Sequence, residues 1–587
     1  MNTNYAFEYD EALLRACAQS SLVASVIGSK KIVSTAEGND EACLKLQELF
    51  SKHYQRSQGG LNQEFLSSVS LVHQHNNAKG KTHTLTLNQF SDTKATLSGW
   101  QEIDYQNDER VIALHDTHSI QKAAKMIFSS TTRSDDEGSI RWQRHHYEEN
   151  HSIALDEMME SRKGHNKSNN LPFIQQKSNN HSRPIGQIVV HGTSYQALNV
   201  DDYFISSLNW ATTNNPDGAS IVHPASDQGI CGSCWAWAAT GSIEASVSRR
   251  NAYQSYKASK HHRHRNAIEN ARKAEVAALE LANLSVQELI DCDTAIDDGC
   301  TGGNPLLAFY FIHRYGLASS SKYPYIGEEN ICQVSKVANP IVSVEAWGIL
   351  TSNHEDNMEI VLRDIGPIAV GLNGADASFL AYKGGVFDIA NCDQTANHAL
   401  LVVGYGQEKF DDDSLVKFWI ARNSWGRGWG EDGYVRVKRG QGGKDIHGVC
   451  GIARNPSVAL GGILLTGIGD RISQKYDSHN SDGSQYQSPE EHIGYNYCDA
   501  MKRFQIVQTC HQLERYCSHH HRFPDFPLVP LTSHWYNPQV LEPTSSFSLL
   551  FNQFGDCSSS GYSTTHKRLP STTKSKAAIS TVRLLCK

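Results

Sequence analysis

Asp227-Gln-Gly-Ile-Cys231-Gly-Ser-Cys234-Trp-Ala-Trp237 is the stretch on which the reading of this chain turns. Gly229, Gly232 and Ser233 make a turn of small residues. Behind it runs a helix-friendly segment, Ala236-Trp-Ala-Ala-Thr-Gly-Ser-Ile-Glu-Ala245. A cysteine at a helix N-terminus feels the positive end of the helix dipole, which favours thiolate over thiol. The thiolate is the nucleophile, so Cys234 is placed to attack. Gln228, six residues earlier, can aim an amide N–H at the oxygen of an attacked carbonyl, with the backbone N–H of Cys234 as second donor. The bland alternative makes Cys234 half of a disulfide or a core residue. The downstream sequence argues against it by supplying a base and an orienting group.

Asn397-His398-Ala-Leu-Leu-Val-Val-Gly-Tyr-Gly406 sets a histidine at the head of an apolar run that reads as a buried strand. Ala421-Arg-Asn423-Ser-Trp425-Gly-Arg-Gly-Trp429-Gly sets an asparagine in a Gly/Trp-rich turn after Phe418-Trp-Ile420. In such a triad His398 takes the proton of Cys234 and returns it to the leaving amine. Asn423 fixes the imidazole tautomer, and Trp425 screens that hydrogen bond from water.

These residues resemble the papain family of cysteine proteases, whose nucleophile signature is Cys-Gly-Ser-Cys-Trp. The resemblance implies an α+β, two-domain fold: a helical left domain whose central helix starts at the nucleophile, a β-barrel-like right domain, and a helical prosegment ahead of both. It implies a cysteine-type endopeptidase acting on peptides and proteins through Cys234, His398, Asn423 and Gln228, with no cofactor and no metal. By motif, it carries over the disulfides Cys231–Cys300, Cys292–Cys332 and Cys392–Cys450. It also carries over a substrate-lining set of Gly302, Gly303, Asn304, Pro305, Gly371, Asn397, Trp425 and Asn455. Gly302-Gly303 lets substrate backbone lie against enzyme backbone. Asn304, Pro305, Gly371, Ala396 and Ala399 wall the pocket for the side chain two residues before the cut, with Asn455 as its floor, and Leu, Phe or Val is expected there. No histidine-bearing occluding loop is visible, which favours endopeptidase over dipeptidase. His398 follows Cys234 by 164 residues (398 − 234), against about 130–150 in the family. The helix from Cys234 is expected to end near Arg249–Asn251, and an insertion at about 253–282 accounts for the excess.

Taken in order, residues 1–43 are an N-terminal segment with Cys17 and Cys43 unassigned. Residues 44–100 resemble a degenerate inhibitory prosegment, the chain's own intramolecular inhibitor. Leu61, Phe65, Val69 and Val72 recur at helical spacing there, followed by the alternating His83–Leu87 and then Asn88-Gln-Phe-Ser-Asp92, with Ser68 where the family has Asn. Residues 101–202 form a long polar linker, expected to be disordered. Its eight histidines (His115, His118, His145, His146, His151, His165, His181 and His191) read first as solvated side chains, and acid release of the prosegment is the alternative use for them. The peptidase domain spans 203–461. Residues 462–587 are a Cys/His-containing extension of unknown role.

The chain has 587 residues, a net charge of −8 and 28 histidines, so its charge climbs toward +20 if all of them protonate. That balance excludes an ordinary nucleic-acid binder. No run reaches the ~20 apolar residues of a membrane span, and a monomer is expected. The N-terminus lacks the pattern of a signal peptide. The cysteine framework nevertheless points to an oxidising compartment, a lysosome or vacuole or the exterior. Two other readings of the same nucleophile stay open: a papain-fold binding protein, and a transferase or ligase.

Overall fold

Helical spacing in the N-terminal region becomes a small independent core. The computed structural model describes residues 6–28, 37–56, 62–93 and 99–103, short segments between 121 and 197, and 206–465 with brief gaps. Helices α1 (Glu11–Ala18), α2 (Ser21–Val26), α3 (Glu37–His53) and α4 (Gln63–Asn77) pack together. Leu14, Val23, Leu46, Phe50, Phe65, Val69 and Val72 fill the space between them. Asn62 caps α4, accepting from the N–H groups of Glu64 and Phe65. Cys17 and Cys43, whose partners the sequence left open, are bonded to each other and tie α1 to α3. Helix α3 starts at Glu37, ahead of the segment read as beginning at 44, and residues as early as Phe7 share its core. A boundary at 43/44 therefore cuts through one unit.

The unit docks through β1 (His83–Leu85). Asn76 in α4 holds that strand from both sides, donating to the Leu85 carbonyl at 2.8 Å and accepting its N–H at 2.9 Å. Ser68, where Asn was expected, donates to the Ser91 carbonyl.

The segment 101–202 is not all linker. It contains β2 (Trp142–Arg144), β3 (Gln187–Val190) and β4 (Thr193–Ala197). Ile188 and Val190 are fully buried in the main core. A short apolar run between glycines was the available signal, and its polar surroundings hid it. The linker histidines and everything after 465 lie outside the described residues.

The peptidase region opens with β5 (Leu208–Asn209), then Trp210, whose indole donates to the Leu362 carbonyl at 2.7 Å. Helix α5 (Cys234–Lys260) has 27 residues, about 40 Å. It runs past the end expected near Arg249–Asn251. Helix α6 (His264–Leu281) packs against it, so the insertion is a helical hairpin. Helices α7 (Val286–Cys292) and α8 (Pro305–Tyr315) complete the helical side. The other side alternates β6 (Val342–Leu350), α9 (Glu355–Asp364), β7 (Ile368–Leu372), α10 (Ala377–Leu380), β8 (Tyr382–Phe387), β9 (His398–Lys409), β10 (Leu415–Arg422), β11 (Tyr434–Lys438) and β12 (Ser457–Leu464).

The strands are ordered β1-β8-β11-β10-β9-β7-β12-β6-β3-β4-β2, with β5 on β9. The N-terminal strand β1 thus pairs with β8 at one end, antiparallel, His83 opposite Gly385. Gly385 has φ +92°, and a Cβ there would meet the Thr82 carbonyl at 2.5 Å, so only glycine lets β1 approach. At the other end β3 pairs with β6. The three motif-derived disulfides, Cys231–Cys300, Cys292–Cys332 and Cys392–Cys450, are present. The fold is α+β.

The helical side buries several acids. Burial pushes Glu288 up to about 8 and Asp291 up to about 6. It also raises Glu244, and raises Glu275 with Asp217 beside it. Because these folded-state values exceed the unfolded ones, the folded chain binds more protons. The resulting stability is complete below about pH 4.3 and is lost as pH rises through 6 to 8. The unfolding temperature of an inactive variant should fall by about 5 °C between pH 5 and 8. Scanning calorimetry checks this, and a rise over that range contradicts it.

Candidate active site

Cys234 is the first residue of α5, presented by the turn the sequence predicts there. Among the described residues it is the one free cysteine, and it is buried. Its Sγ accepts the N–H of Ala399 at 3.2 Å. That bond sets the thiol beside His398, the first residue of β9.

His398 Nε2 lies 2.8 Å from Asn423 Oδ1. An amide oxygen can only accept, so Nε2 carries the hydrogen and Nδ1 keeps its lone pair. Trp425 stacks on the imidazole with centroids 4.4 Å apart and planes 27° apart, covering that bond. Gln228 is held at both ends of its amide. Oε1 accepts from Ser424 Oγ at 2.6 Å, and Nε2 donates to the Cys231 carbonyl at 2.7 Å. One Nε2 hydrogen remains available. Tyr325 Oη supports the same turn, bonding the Gln228 carbonyl at 2.6 Å. Cys234, His398, Asn423, Trp425 and Gln228 are thus brought into one site.

The charge state differs from the sequence expectation. Burial pushes the Cys234 thiol up to about 12, against the lowering from the Ala399 N–H. Burial likewise takes His398 down to about 4, opposed by its Asn423 bond. The helix dipole favours thiolate, but it acts on a group sealed from water, and desolvation wins. While the site is covered, burial favours the thiol and the neutral imidazole.

The seal is the stretch Gly99–Gln101 of the N-terminal region. Gly99 passes so close that a Cβ on it would lie 2.4 Å from Cys234 Sγ and 3.0 Å from the Gly232 carbonyl. Trp100 bridges to Gly303, with the Gly303 N–H donating to the Gly99 carbonyl at 3.3 Å and the Gln101 N–H to the Gly303 carbonyl at 2.9 Å. The Trp100 ring lies on Gly371, where a Cβ would come within 2.8 Å of it. Asn304 donates to the Gln101 carbonyl at 2.9 Å while its Oδ1 caps α8, whose first residue is Pro305. Behind the site, Phe90 packs edge-on to Trp425 at 4.7 Å and Gln89 donates to the Trp425 carbonyl.

Gly302, Gly303, Asn304 and Gly371 therefore touch residues 99–101, with Pro305 next to Asn304 at the start of α8. Asn397 differs. Its side chain is spent on the neighbouring turn, accepting from Gly374 and Ala375 and donating to Asn373. Asn455 is half-buried beside Arg454, which pairs with Glu102 at 3.1 Å. The sequence reading missed Gly99, Trp100, Gln101, Glu102 and Arg454. A lone tryptophan in a polar stretch was the available signal. Its partners lie at least 200 residues away in the chain, beyond any local pattern.

The papain family cysteine protease domain matches residues 206–262 and 265–460, its break falling where α5 gives way to α6. Thiol protease SEN102 of Hemerocallis is 32% identical over 268 residues, 46% of this chain and 63% of that relative. Zingipain-2 of Zingiber officinale is 34% identical over 249 residues, 42% of this chain and 93% of the relative. The chain therefore spans less than two-thirds of the first and nearly all of the second. A solved digestive procathepsin L2 of Tenebrio molitor is 22% identical, covers 71% of this chain and 99% of its own, and has a TM-score of 0.44. A 34% identity that runs through almost the whole of a relative leaves one conclusion for residues 206–460: the chain belongs to the papain family of cysteine proteases.

Proposed function

We propose that this chain is a cysteine-type endopeptidase made as a latent precursor, with Cys234 as nucleophile, His398 as proton carrier, Asn423 as its positioning residue and Gln228 as oxyanion donor. The observation that carries the reading is the bond from His398 Nε2 to Asn423 Oδ1, which leaves Nδ1 basic next to the Cys234 thiol. In the open site, the imidazole takes the thiol proton and the sulfur adds to the peptide carbonyl carbon. The C–N bond then breaks as His398 protonates the leaving amine. Water, deprotonated by the same imidazole, attacks the thioester, breaks the C–S bond and restores the thiol. The remaining Nε2 hydrogen of Gln228 and the Cys234 N–H are the donors for the transient oxyanion.

Residues 6–103 act as the intramolecular inhibitor, because Gly99 lies against the thiol and Trp100 covers Gly371, where a substrate would otherwise enter. Release in acid is the activation route. The disulfides support a lysosomal, vacuolar or extracellular setting. No described helix is long and apolar enough to cross a membrane.

The test is the full-length precursor under reducing conditions at pH 4.5 and 7. Peptide hydrolysis that appears in acid together with loss of the chain before about residue 206 supports the reading. Alkylation of Cys234 in acid with no peptide cleaved refutes hydrolysis and favours a transferase or ligase.

A further inference from the structure

We infer that Arg454 is a specificity residue that selects a carboxylate side chain in the substrate, on the acyl side of the cut. The inference rests on the endopeptidase reading above. At Gln101 and Glu102 the propeptide touches both walls of the cleft. Gln101 is held by the helical wall, its N–H on the Gly303 carbonyl, its carbonyl taking the Asn304 amide, its side-chain amide on Asp298 at 2.5 Å. One residue further, Glu102 Oε1 meets the opposite wall at Arg454 Nη2, 3.1 Å away.

The Arg454 side chain is three-quarters buried and is aimed by its own turn, with Nη1 donating to the Gln394 carbonyl at 3.3 Å. Asp393 is the other acid in its field, and it is almost fully exposed. When the propeptide leaves, Arg454 loses Glu102 and remains as a fixed cation facing the groove. Its position follows from the covering chain. Gly99 lies on the thiol, Trp100 over Gly371, and Glu102 three residues on, about 10 Å from Sγ for an extended strand. A substrate side chain reaching that depth lies two to four residues before the scissile bond. A planar guanidinium with a fixed orientation takes a carboxylate better than an amide of the same shape.

The test uses the full chain after self-processing, as wild type, Arg454→Gln and Arg454→Glu. Paired peptides carry Glu or Gln at each of the two to four positions before the cut. For the wild type, kcat/KM should favour Glu over Gln about three- to fivefold at one of these positions. The ratio should shrink as NaCl is raised through the range where the Debye length falls below about 8 Å. Arg454→Gln should bring it to one, and Arg454→Glu should invert it. A second readout is Glu102→Gln in the precursor, which should speed alkylation of Cys234 without altering cleavage by the mature form.

A wild-type ratio of one, or a preference for Glu that survives in Arg454→Gln, overturns the inference and leaves the peptidase reading standing. Failure of the wild type to cleave either peptide overturns both.

Discussion

Cys234→Ala should lower peptide hydrolysis by about 10⁴-fold or more, leaving a precursor that keeps its N-terminal region at pH 4.5. The methyl removes the atom that forms the acyl bond, so no later step has a substrate. Residual acceleration would come from the cleft and oxyanion donors alone, as for other enzymes stripped of their nucleophile. The fold should tolerate the change. The thiol accepts the Ala399 N–H in a buried position, and alanine fills less of that space without introducing a clash. Hydrolysis and self-processing are measured side by side, with circular dichroism as the control for folding. Hydrolysis within tenfold of wild type would remove Cys234 from the mechanism. His398→Ala should give a loss of similar size, since nucleophile and base act as a unit and their losses do not add.

The second large effect concerns the proposed release in acid. His83 in β1 is almost fully buried between the two bodies, 5.0 Å from the Phe387 ring and 6.4 Å from that of Tyr382. Neither ring nitrogen has a hydrogen-bond partner. Its nearest titratable neighbour is His75, with ring centroids 4.3 Å apart and Nε2 donating to the His83 carbonyl. Across the pairing strand, Glu431 is engaged by Gly385 N–H and Arg436. Burial, reinforced by His75, takes His83 down to about 3.

The sign follows directly. The docked state holds a neutral imidazole, and the released state holds one of ordinary affinity for protons. Docking keeps its full strength above about pH 6.5 and loses it as pH falls toward 3. At pH 4.5 the loss is about 2–3 kcal/mol, close to 100-fold in the docking equilibrium. His398, also held neutral, adds in the same direction at the acid end. In a Cys234→Ala background, hydrogen exchange of the 83–91 amides, corrected for intrinsic rate, should show protection collapsing between pH 6 and 4. His83→Leu keeps the apolar contact and removes the proton, so the midpoint should move down by about one pH unit. An unmoved midpoint would return the trigger to the histidines between 115 and 191.

What was legible in the sequence was whatever the chain writes locally or in a motif. The turn before Cys234, the strand behind His398 and the Gly/Trp turn holding Asn423 each announce their conformation within about ten residues. The apolar run behind His398 is the strand 398–409, and Phe418-Trp-Ile420 lies in the strand 415–422. Three disulfides came from the family pattern. The Cys17–Cys43 bond did not, because no motif surrounds it and spacing alone does not choose a partner.

Misreadings arose where tertiary contact overrode local signal. A polar stretch concealed the Ile188–Val190 strand, whose edge of donors and acceptors is satisfied by β6, more than 150 residues later. The central helix continued past its expected end because α6 covers its outer face.

The sequence by itself determined the chemistry: a thiol at a helix start, an imidazole, an amide to hold it, and a scaffold stapled by disulfides. Only the tertiary structure decided the state in which that chemistry rests. Whether Cys234 is a thiolate depends on water reaching it, and access is set by Gly99 and Trp100 lying across the cleft. Desolvation and long-range packing are properties of the assembled surfaces, and no window along the chain contains both sides of them.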